Sequence, residues 1–309
     1  FNMNLVELRS LTVPNKIDRL TSLKIESSDD HAEFFHKRKH QLTHLKSLTI
    51  HVVHPLNPIP VSKLVSLETL NLILRMRQLS YLAEMKPYLA QMNNLVMIGL
   101  EVNDFWGTND SLQNIAAFLS ARKKLKAVKL VLDDDCECLD CENHGYMFSD
   151  SFRSLAGMKC LTHLLLHINI FCGKEDQENL IRILVDAPML KYVDITFKGV
   201  SSNHLITFPV EFPKQLEICS LSIRTNNKPL SDEFLLFLID LMGNCPKLNK
   251  VVISGDFSCI SEETFEKLYE FLRGIERLDV NIEPFHYRRK NIFKIDNLMN
   301  DIVKRCPYL

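Results

Sequence analysis

One apolar pattern recurs along the 309 residues of this chain and limits the folds open to it more than any other feature. The pattern is Leu-x-x-Leu-x-Leu, with Ile, Val or Cys accepted at the later positions. Its eleven copies are Leu8/Leu11/Val13, Leu20/Leu23/Ile25, Leu45/Leu48/Ile50, Leu67/Leu70/Leu72, Leu95/Ile98/Leu100, Leu125/Val128/Leu130, Leu161/Leu164/Leu166, Leu190/Val193/Ile195, Leu216/Cys219/Leu221, Leu248/Val251/Ile253 and Ile275/Leu278/Val280. After a first interval of 12 residues, successive copies begin between 22 and 36 residues apart, which indicates one repeated structural unit.

Each copy predicts a short β-strand, because its last two apolar positions are two residues apart and share one strand face. Apolar segments with helical spacing follow several copies, at Leu112/Ile115/Ala116/Leu119, Leu180/Ile181/Leu184, Phe234/Leu235/Leu238/Leu241 and Phe265/Leu268/Leu272. Ser231 and Ser261 precede acidic first turns and are predicted N-caps.

Such a repeat is typical of leucine-rich-repeat proteins, in which neighbouring units stack around one continuous core. The predicted fold class is α/β: a curved leucine-rich-repeat solenoid with parallel strands on the concave face and helices on the convex face. Residues 1–309 form one domain of about eleven irregular repeats, and the short first interval indicates a degenerate cap.

Charge and cysteine content narrow the function classes. With 37 basic and 38 acidic residues, the net charge of −1 favours neither nucleic-acid nor membrane binding. The segment that starts at Phe1 lacks the charged and apolar regions of a signal peptide, and nine cysteines are an odd number. We therefore expect reduced thiols and a cytoplasmic or nuclear location. Because the chain does not begin with Met, it is predicted to be a fragment that lacks an upstream domain.

One copy of the pattern is preceded by a short sequence step, Cys-Pro-x-Leu, which here is Cys245-Pro246-Lys247-Leu248. The step returns as Cys306-Pro307-Tyr308-Leu309, and as Ala187-Pro188-Met189-Leu190 without the cysteine. It resembles the cysteine-containing subtype of leucine-rich repeat in F-box proteins, including F-box-like proteins of yeast type. The resemblance implies substrate recognition within an F-box-type (SCF) ubiquitin ligase receptor. A Skp1-type adaptor would be a partner only if an F-box lies upstream, since this chain shows none.

The longest interval contains a cysteine-rich insert, residues 133–149. Cys136, Cys138, Cys141 and His144 supply three thiolates and one imidazole, the donor set of a structural zinc site. All four lie within nine residues, which is tight for one metal, so an acidic loop with reduced thiols remains the alternative. No other cofactor is indicated.

Residues that alternate with the buried strand positions are predicted to face a protein partner on the concave side. The candidate partner-binding residues, including one Trp in an adjoining loop, are Trp106, Lys129, His163, His167, Tyr192, Asp194 and Arg277. The same reasoning places Ile218, Ser220 and Ser222 on that side.

Catalytic motifs are missing from the sequence: it contains no nucleophile elbow, P-loop, dinucleotide Gly motif or His-Glu-x-x-His pattern. The chain is therefore predicted to be a binding protein and not an enzyme. The alternative to a ligase receptor is a stand-alone scaffold, inhibitor or regulator with no link to ubiquitin.

Overall fold

The computed structural model describes residues 2–4, 20–27, 42–52, 64–75, 78–103, 109–122, 124–133, 155, 157–169, 182–184, 186–198, 217–257, 259–273 and 279–284. Eleven strands form one all-parallel sheet in the order of the sequence, with β1 and β11 at its edges. The strands are β1 (Asn2–Asn4), β2 (Ser22–Ser27), β3 (Ser47–Val52), β4 (Thr69–Arg75), β5 (Met97–Asn103), β6 (Ala127–Asp133), β7 (His163–Asn169), β8 (Tyr192–Lys198), β9 (Ser220–Pro229), β10 (Lys250–Asp256) and β11 (Asp279–Pro284).

Four helices of twelve residues each are described beside the sheet. They are α1 (Ser80–Gln91), α2 (Asn109–Ser120), α3 (Asp232–Gly243) and α4 (Glu262–Arg273). Two N-caps predicted from sequence are confirmed: Ser231 Oγ accepts the Phe234 N–H at 3.2 Å, and Ser261 Oγ accepts the Thr264 N–H at 3.3 Å. These bonds satisfy backbone donors that the first helical turn leaves without partners.

Strand register aligns the apolar positions into columns across the sheet. The first column is buried and contains Leu23, Leu48, Leu70, Ile98, Val128, Leu164, Val193, Leu221 and Val251. A second buried column contains Ile25, Ile50, Leu72, Leu100, Leu130, Leu166, Ile195, Ile223 and Ile253. Together with the buried faces of the helices they form one continuous core. Burying such side chains contributes roughly 1.5–3 kcal/mol each, which makes these columns the main source of stability.

The edge of the sheet at which the strands begin, here the leading edge, repeats one hydrogen-bond arrangement. The Lys126 carbonyl accepts the N–H groups of Thr162 and His163, and the Thr162 carbonyl accepts those of Lys191 and Tyr192. The same double acceptance occurs at six further carbonyls, those of Thr21, Lys46, Glu68, Val96, Lys191 and Cys219. Consecutive strands are therefore held in one register from their first residue.

Eight of the eleven predicted motifs have all three apolar positions buried, so those strand assignments are confirmed. The motif that starts at Leu216 is wrong by two residues, because Ile218, Leu221 and Ile223 fill the buried columns while Cys219 is partly exposed. The last motif is displaced in the same way, since Val280 pairs with Val251 in the register. The Leu8 motif lies outside the described residues; the first strand is β1, where Met3 aligns with Leu23.

The predicted curved leucine-rich-repeat solenoid, with strands on a concave face and helices on a convex face, is not supported and is corrected. The structure supports the coarser class: an α/β protein with a single all-parallel sheet. An apolar ladder determines which strands pair, but it does not determine the path of the sheet or what covers its second face. That second face is not an open surface throughout: in β10, Val252 is 5% exposed and Ser254 is 0% exposed. The middle of β10 is therefore buried on both faces, as is usual in parallel sheets, whereas Lys250 at its start is exposed.

Candidate functional site

The candidate site lies on the second face of the sheet, opposite the two buried columns, across strands β5 to β8. Register places His163 beside Tyr192, and Lys129 in one row with Leu165 and Asp194. We define the central patch as six side chains on this face: Glu101, Lys129, His163, His167, Tyr192 and Asp194. Neighbouring parallel strands are about 4.8 Å apart, so the patch spans roughly 15 Å across four strands.

Two aromatic rings form the apolar part of the central patch. The rings of His163 and Tyr192 are stacked, with centroids 4.4 Å apart and planes inclined by 19°. Tyr192 is 46% exposed, although large aromatic side chains usually contribute more to the stability of the fold when they are buried. The stack therefore presents a flat, ordered surface of low polarity to the solvent.

Thr162 determines the orientation of the His163 ring. Its Oγ1 donates to the Lys126 carbonyl at 2.9 Å and also lies 2.9 Å from His163 Nδ1. A threonine hydroxyl has one proton, and that proton is already donated to the carbonyl. A neutral His163 ring that carries its proton on Nδ1 fits both contacts, because Nδ1 then donates to the hydroxyl and Nε2 is a hydrogen-bond acceptor.

Two loose contacts between a basic and an acidic side chain surround the stack. Lys129 Nζ lies 3.9 Å from Glu101 Oε2, and His167 Nε2 lies 3.9 Å from Asp194 Oδ2. Both distances exceed hydrogen-bond length, and His167 Nε2 is buried without a hydrogen-bond partner. Partly exposed pairs of this kind contribute roughly 0–1 kcal/mol, so exchanging one member for a group on a partner costs little.

The central patch is bounded on one side by the polar surface of β3 to β5. Asn71 Nδ2 donates to Thr49 Oγ1 at 3.4 Å, and its side chain covers the backbone of Gly99. A Cβ atom at Gly99 would lie 2.1 Å from Asn71 Oδ1, so glycine is required for this close approach. Neither Glu101 nor Asn71 was among the residues predicted from sequence. Alternation along β5 would have placed Glu101 on this face, but its pairing with Lys129 depends on the register between strands.

Five of the predicted partner-binding residues lie together on this face: Lys129, His163, His167, Tyr192 and Asp194. The other two, Trp106 and Arg277, lie outside the described residues. Ile218 was predicted to face a partner and is instead 1% exposed, because it occupies the first apolar position of the β9 motif. Ser222 does lie on the predicted face, but it is buried and its Oγ has no hydrogen-bond partner.

The proposed zinc ligands Cys136, Cys138, Cys141 and His144 also lie outside the described residues. Within the described ranges, no group of three or more His, Cys, Asp or Glu side chains is arranged to hold a metal ion. In the same ranges, no helix has the length and apolar character needed to cross a membrane.

No family model matches the chain, and no curated protein matches it in sequence. Among solved structures, a Bacteroides fragilis protein is 14% identical with a TM-score of 0.45, over 90% of this chain and 70% of its own. A sugar phosphate isomerase/epimerase from Parabacteroides distasonis is 10% identical with a TM-score of 0.18, over 99% of this chain and 92% of its own. Neither description mentions a leucine-rich-repeat protein, and neither supports the prediction that this chain has no enzymatic activity. At TM-scores below 0.5, neither likeness assigns a fold or an activity to this chain.

Proposed function

We propose that the central patch binds a protein partner. The observation that carries this proposal is the exposed stack of His163 and Tyr192, held in place by Thr162 on an ordered strand. Tyrosine is enriched at the centres of protein interfaces, because it buries a large area and loses little conformational freedom. A nearby apolar side chain, Leu165, is only partly buried and adds to the same surface.

The polar side chains of the central patch favour a protein partner as well. The ion pair between Glu101 and Lys129 is loose, so both charges can pair again with groups across an interface. Interfaces between proteins bury roughly 800 Å² of surface on each partner, an area larger than that of the central patch. The patch is therefore proposed as the centre of a footprint that extends over neighbouring strands.

We further propose that the partner is a substrate of an F-box-type ubiquitin ligase for which this chain is the recognition domain. This further proposal rests on the resemblance of the Cys245-Pro246-Lys247-Leu248 segment to the cysteine-containing repeat of F-box proteins. The Cys245 thiol is buried and donates to the Leu241 carbonyl at 3.1 Å, where the α3 helix ends. Its backbone carbonyl accepts the Leu248 N–H at 3.0 Å, which turns the chain into β10.

The proposal is tested with the double variant Tyr192→Ala and Asp194→Ala. A partner is first identified by cross-linking through the patch in cells, and its Kd is then measured with purified proteins. Loss of a central aromatic residue costs about 2 kcal/mol or more, so we expect a Kd at least roughly 30-fold higher. Both side chains face solvent, so the melting temperature should change by less than about 2 °C.

A matched control removes one apolar and one acidic side chain elsewhere. Val65 is 64% exposed at the leading edge, and Glu84 is exposed on α1. Val65→Ala with Glu84→Ala should leave the Kd within about twofold of the wild type. An unchanged Kd in the Tyr192→Ala and Asp194→Ala variant would place the binding surface elsewhere.

The ligase assignment has a separate test. The full-length protein is expressed with an affinity tag, and co-purification of a Skp1-type adaptor is measured together with the half-life of the partner. The assignment predicts that the adaptor is recovered, and that the patch variant lengthens the partner's half-life. Recovery of the partner without adaptor, and with an unchanged half-life, would instead favour the stand-alone scaffold or regulator.

A further inference from the structure

Four lysines lie along the leading edge of β6 to β8, three of them exposed and Lys191 partly buried. Lys126 and Lys191 immediately precede β6 and β8, and Lys124 and Lys159 lie in the turns before β6 and β7. We refer to Lys124, Lys126, Lys159 and Lys191 as the basic rim. The hydrogen-bond ladder places Thr162 between Lys126 and Lys191, so these two backbones are separated by two strand spacings, roughly 10 Å.

Among the described residues, no lysine of the basic rim forms a close ion pair like those of its neighbours, although the charge of Lys191 also helps to lower the pKa of the Glu217 carboxyl. On one side, Lys46 Nζ lies 2.9 Å from Glu68 Oε1, and on the other, Lys247 Nζ lies 2.6 Å from Glu217 Oε2. The hydrogen bond from Lys247 lowers the pKa of the Glu217 carboxyl, as expected for a satisfied pair. Within the part of the chain that the structure describes, no carboxylate lies within 4.0 Å of a basic-rim ammonium group.

Exposed apolar side chains accompany the basic rim. Met189 is 47% exposed and Tyr192 is 46% exposed, and they are two of the three exposed large hydrophobic residues in the described ranges. Met189 lies two residues before Lys191, in the turn that leads into β8. Tyr192 follows Lys191 and stacks on His163. The leading edge of β7 and β8 therefore combines an apolar surface with positive charge.

We propose that this edge binds an acidic segment of the protein partner, with one apolar side chain of that segment packed on Met189 and Tyr192. The inference rests on the proposed function and specifies the chemistry of the partner. Asp and Glu side chains of the segment would pair with the basic rim, which complements their charge. Electrostatic complementarity accelerates association and excludes basic partners, while the apolar contact adds affinity that salt does not screen.

The test begins with peptides of unbiased composition. A displayed library of random 12-residue peptides is selected on the intact chain and counter-selected on the Met189→Ser and Tyr192→Ser double variant. We expect the surviving peptides to be rich in Asp and Glu and to contain one large apolar residue. One survivor is then synthesised with a fluorescent label, and its Kd is measured by fluorescence anisotropy.

Charge reversal tests the contribution of the basic rim. Lys126→Glu with Lys159→Glu should raise the Kd of the peptide at least about tenfold at low salt, and the ratio should fall as added salt screens the charges. The matched control is Lys24→Glu with Lys86→Glu, which makes the same change of charge at exposed positions on β2 and α1. Because those positions lie away from β7 and β8, the control should change the Kd by less than about twofold.

Several outcomes would overturn the inference. The proposed binding of an acidic segment is refuted if the surviving peptides are neutral or basic. It is also refuted if charge reversal leaves the Kd of the peptide unchanged. A labelled single-stranded oligonucleotide that binds more tightly than the peptide, and is lost in the same variant, would assign the basic rim to nucleic acid.

The natural partner separates this inference from the proposed function. If Tyr192→Ala with Asp194→Ala weakens the partner and charge reversal of the basic rim does not, the inference fails and the proposed function stands. If neither variant weakens the partner, both fail.

Discussion

Two adjacent leucines in β7 allow the assignment of the two sheet faces to be tested directly. Leu166 is fully buried in the second apolar column, between Leu130 of β6 and Ile195 of β8. Leu165 points to the opposite face, lies in one row with Lys129 and Asp194, and is only partly buried. The substitutions Leu166→Ala and Leu165→Ala remove the same atoms from neighbouring positions, so chemical composition is identical and only the face differs.

The expected magnitudes follow from this burial. Leu166→Ala removes buried methyl groups and leaves a cavity in a core that is closed on all sides, which costs about 2.7–5 kcal/mol. In a chain of this size that cost lowers the melting temperature by roughly 5–20 °C. Leu165→Ala opens no cavity, and its effect should stay below about 1 kcal/mol.

The assay is denaturant unfolding followed by far-ultraviolet circular dichroism, with the slope of the transition compared between variants. The partner's Kd is measured alongside, because Leu165→Ala should weaken binding while Leu166→Ala affects mainly stability. Equal free energies of unfolding for the two variants would show that β7 does not separate a core face from an exposed face. That result would refute both the register and the central patch.

Three further predictions concern single groups. Burial raises the pKa of the Cys245 thiol to about 12, so at pH 8 iodoacetamide should modify exposed Cys160 rapidly and Cys245 only after unfolding, as followed by peptide mass spectrometry. Although burial alone acts in the opposite direction, hydrogen bonds from Ser261 hold the pKa of the Asp232 carboxyl below its ordinary value. The ionised Asp232 carboxyl therefore stabilises the fold above about pH 4, and this stabilisation is lost as the pH falls through the lowered pKa. In the Asp232→Asn variant, the free energy of unfolding should fall less steeply as the pH is lowered. Ser231→Ala removes the N-cap of α3 and should lower the free energy of unfolding by about 1 kcal/mol. An unchanged free energy of unfolding would show that this cap does not stabilise the helix.

Strand prediction from the sequence succeeded wherever the apolar pattern was unambiguous. The motif Leu161/Leu164/Leu166 has one plausible register, and all three side chains are buried. Before β9, two overlapping patterns compete, because Leu216, Ile218, Cys219, Leu221 and Ile223 are all apolar. The structure selects the later pattern, since its register aligns Leu221 with Val193. Local alternation cannot decide between two such patterns, whereas pairing with the neighbouring strand can.

The candidate site was predicted in part for the same reason. Alternation along β7 and β8 placed His163 and Tyr192 on the face opposite the core, and the structure agrees. Their stacking, the proton position on His163 and the pairing of Lys129 with Glu101 depend on contacts between strands. The basic rim was also missed, because its lysines come from three distant segments of the sequence that only the stacking of the strands brings to one edge.

The sequence by itself determined where most strands lie and which of their side chains enter the core. That information is local, because a strand has a period of two residues and the burial of leucine is strongly favourable. Only the tertiary structure decided which exposed side chains meet, since partners such as His163 and Tyr192 are brought together by register across 29 residues of chain. It also decided that Val252 and Ser254 are buried on the face predicted to be open. Coverage of a sheet face depends on distant parts of the chain, and no periodicity within one strand encodes it.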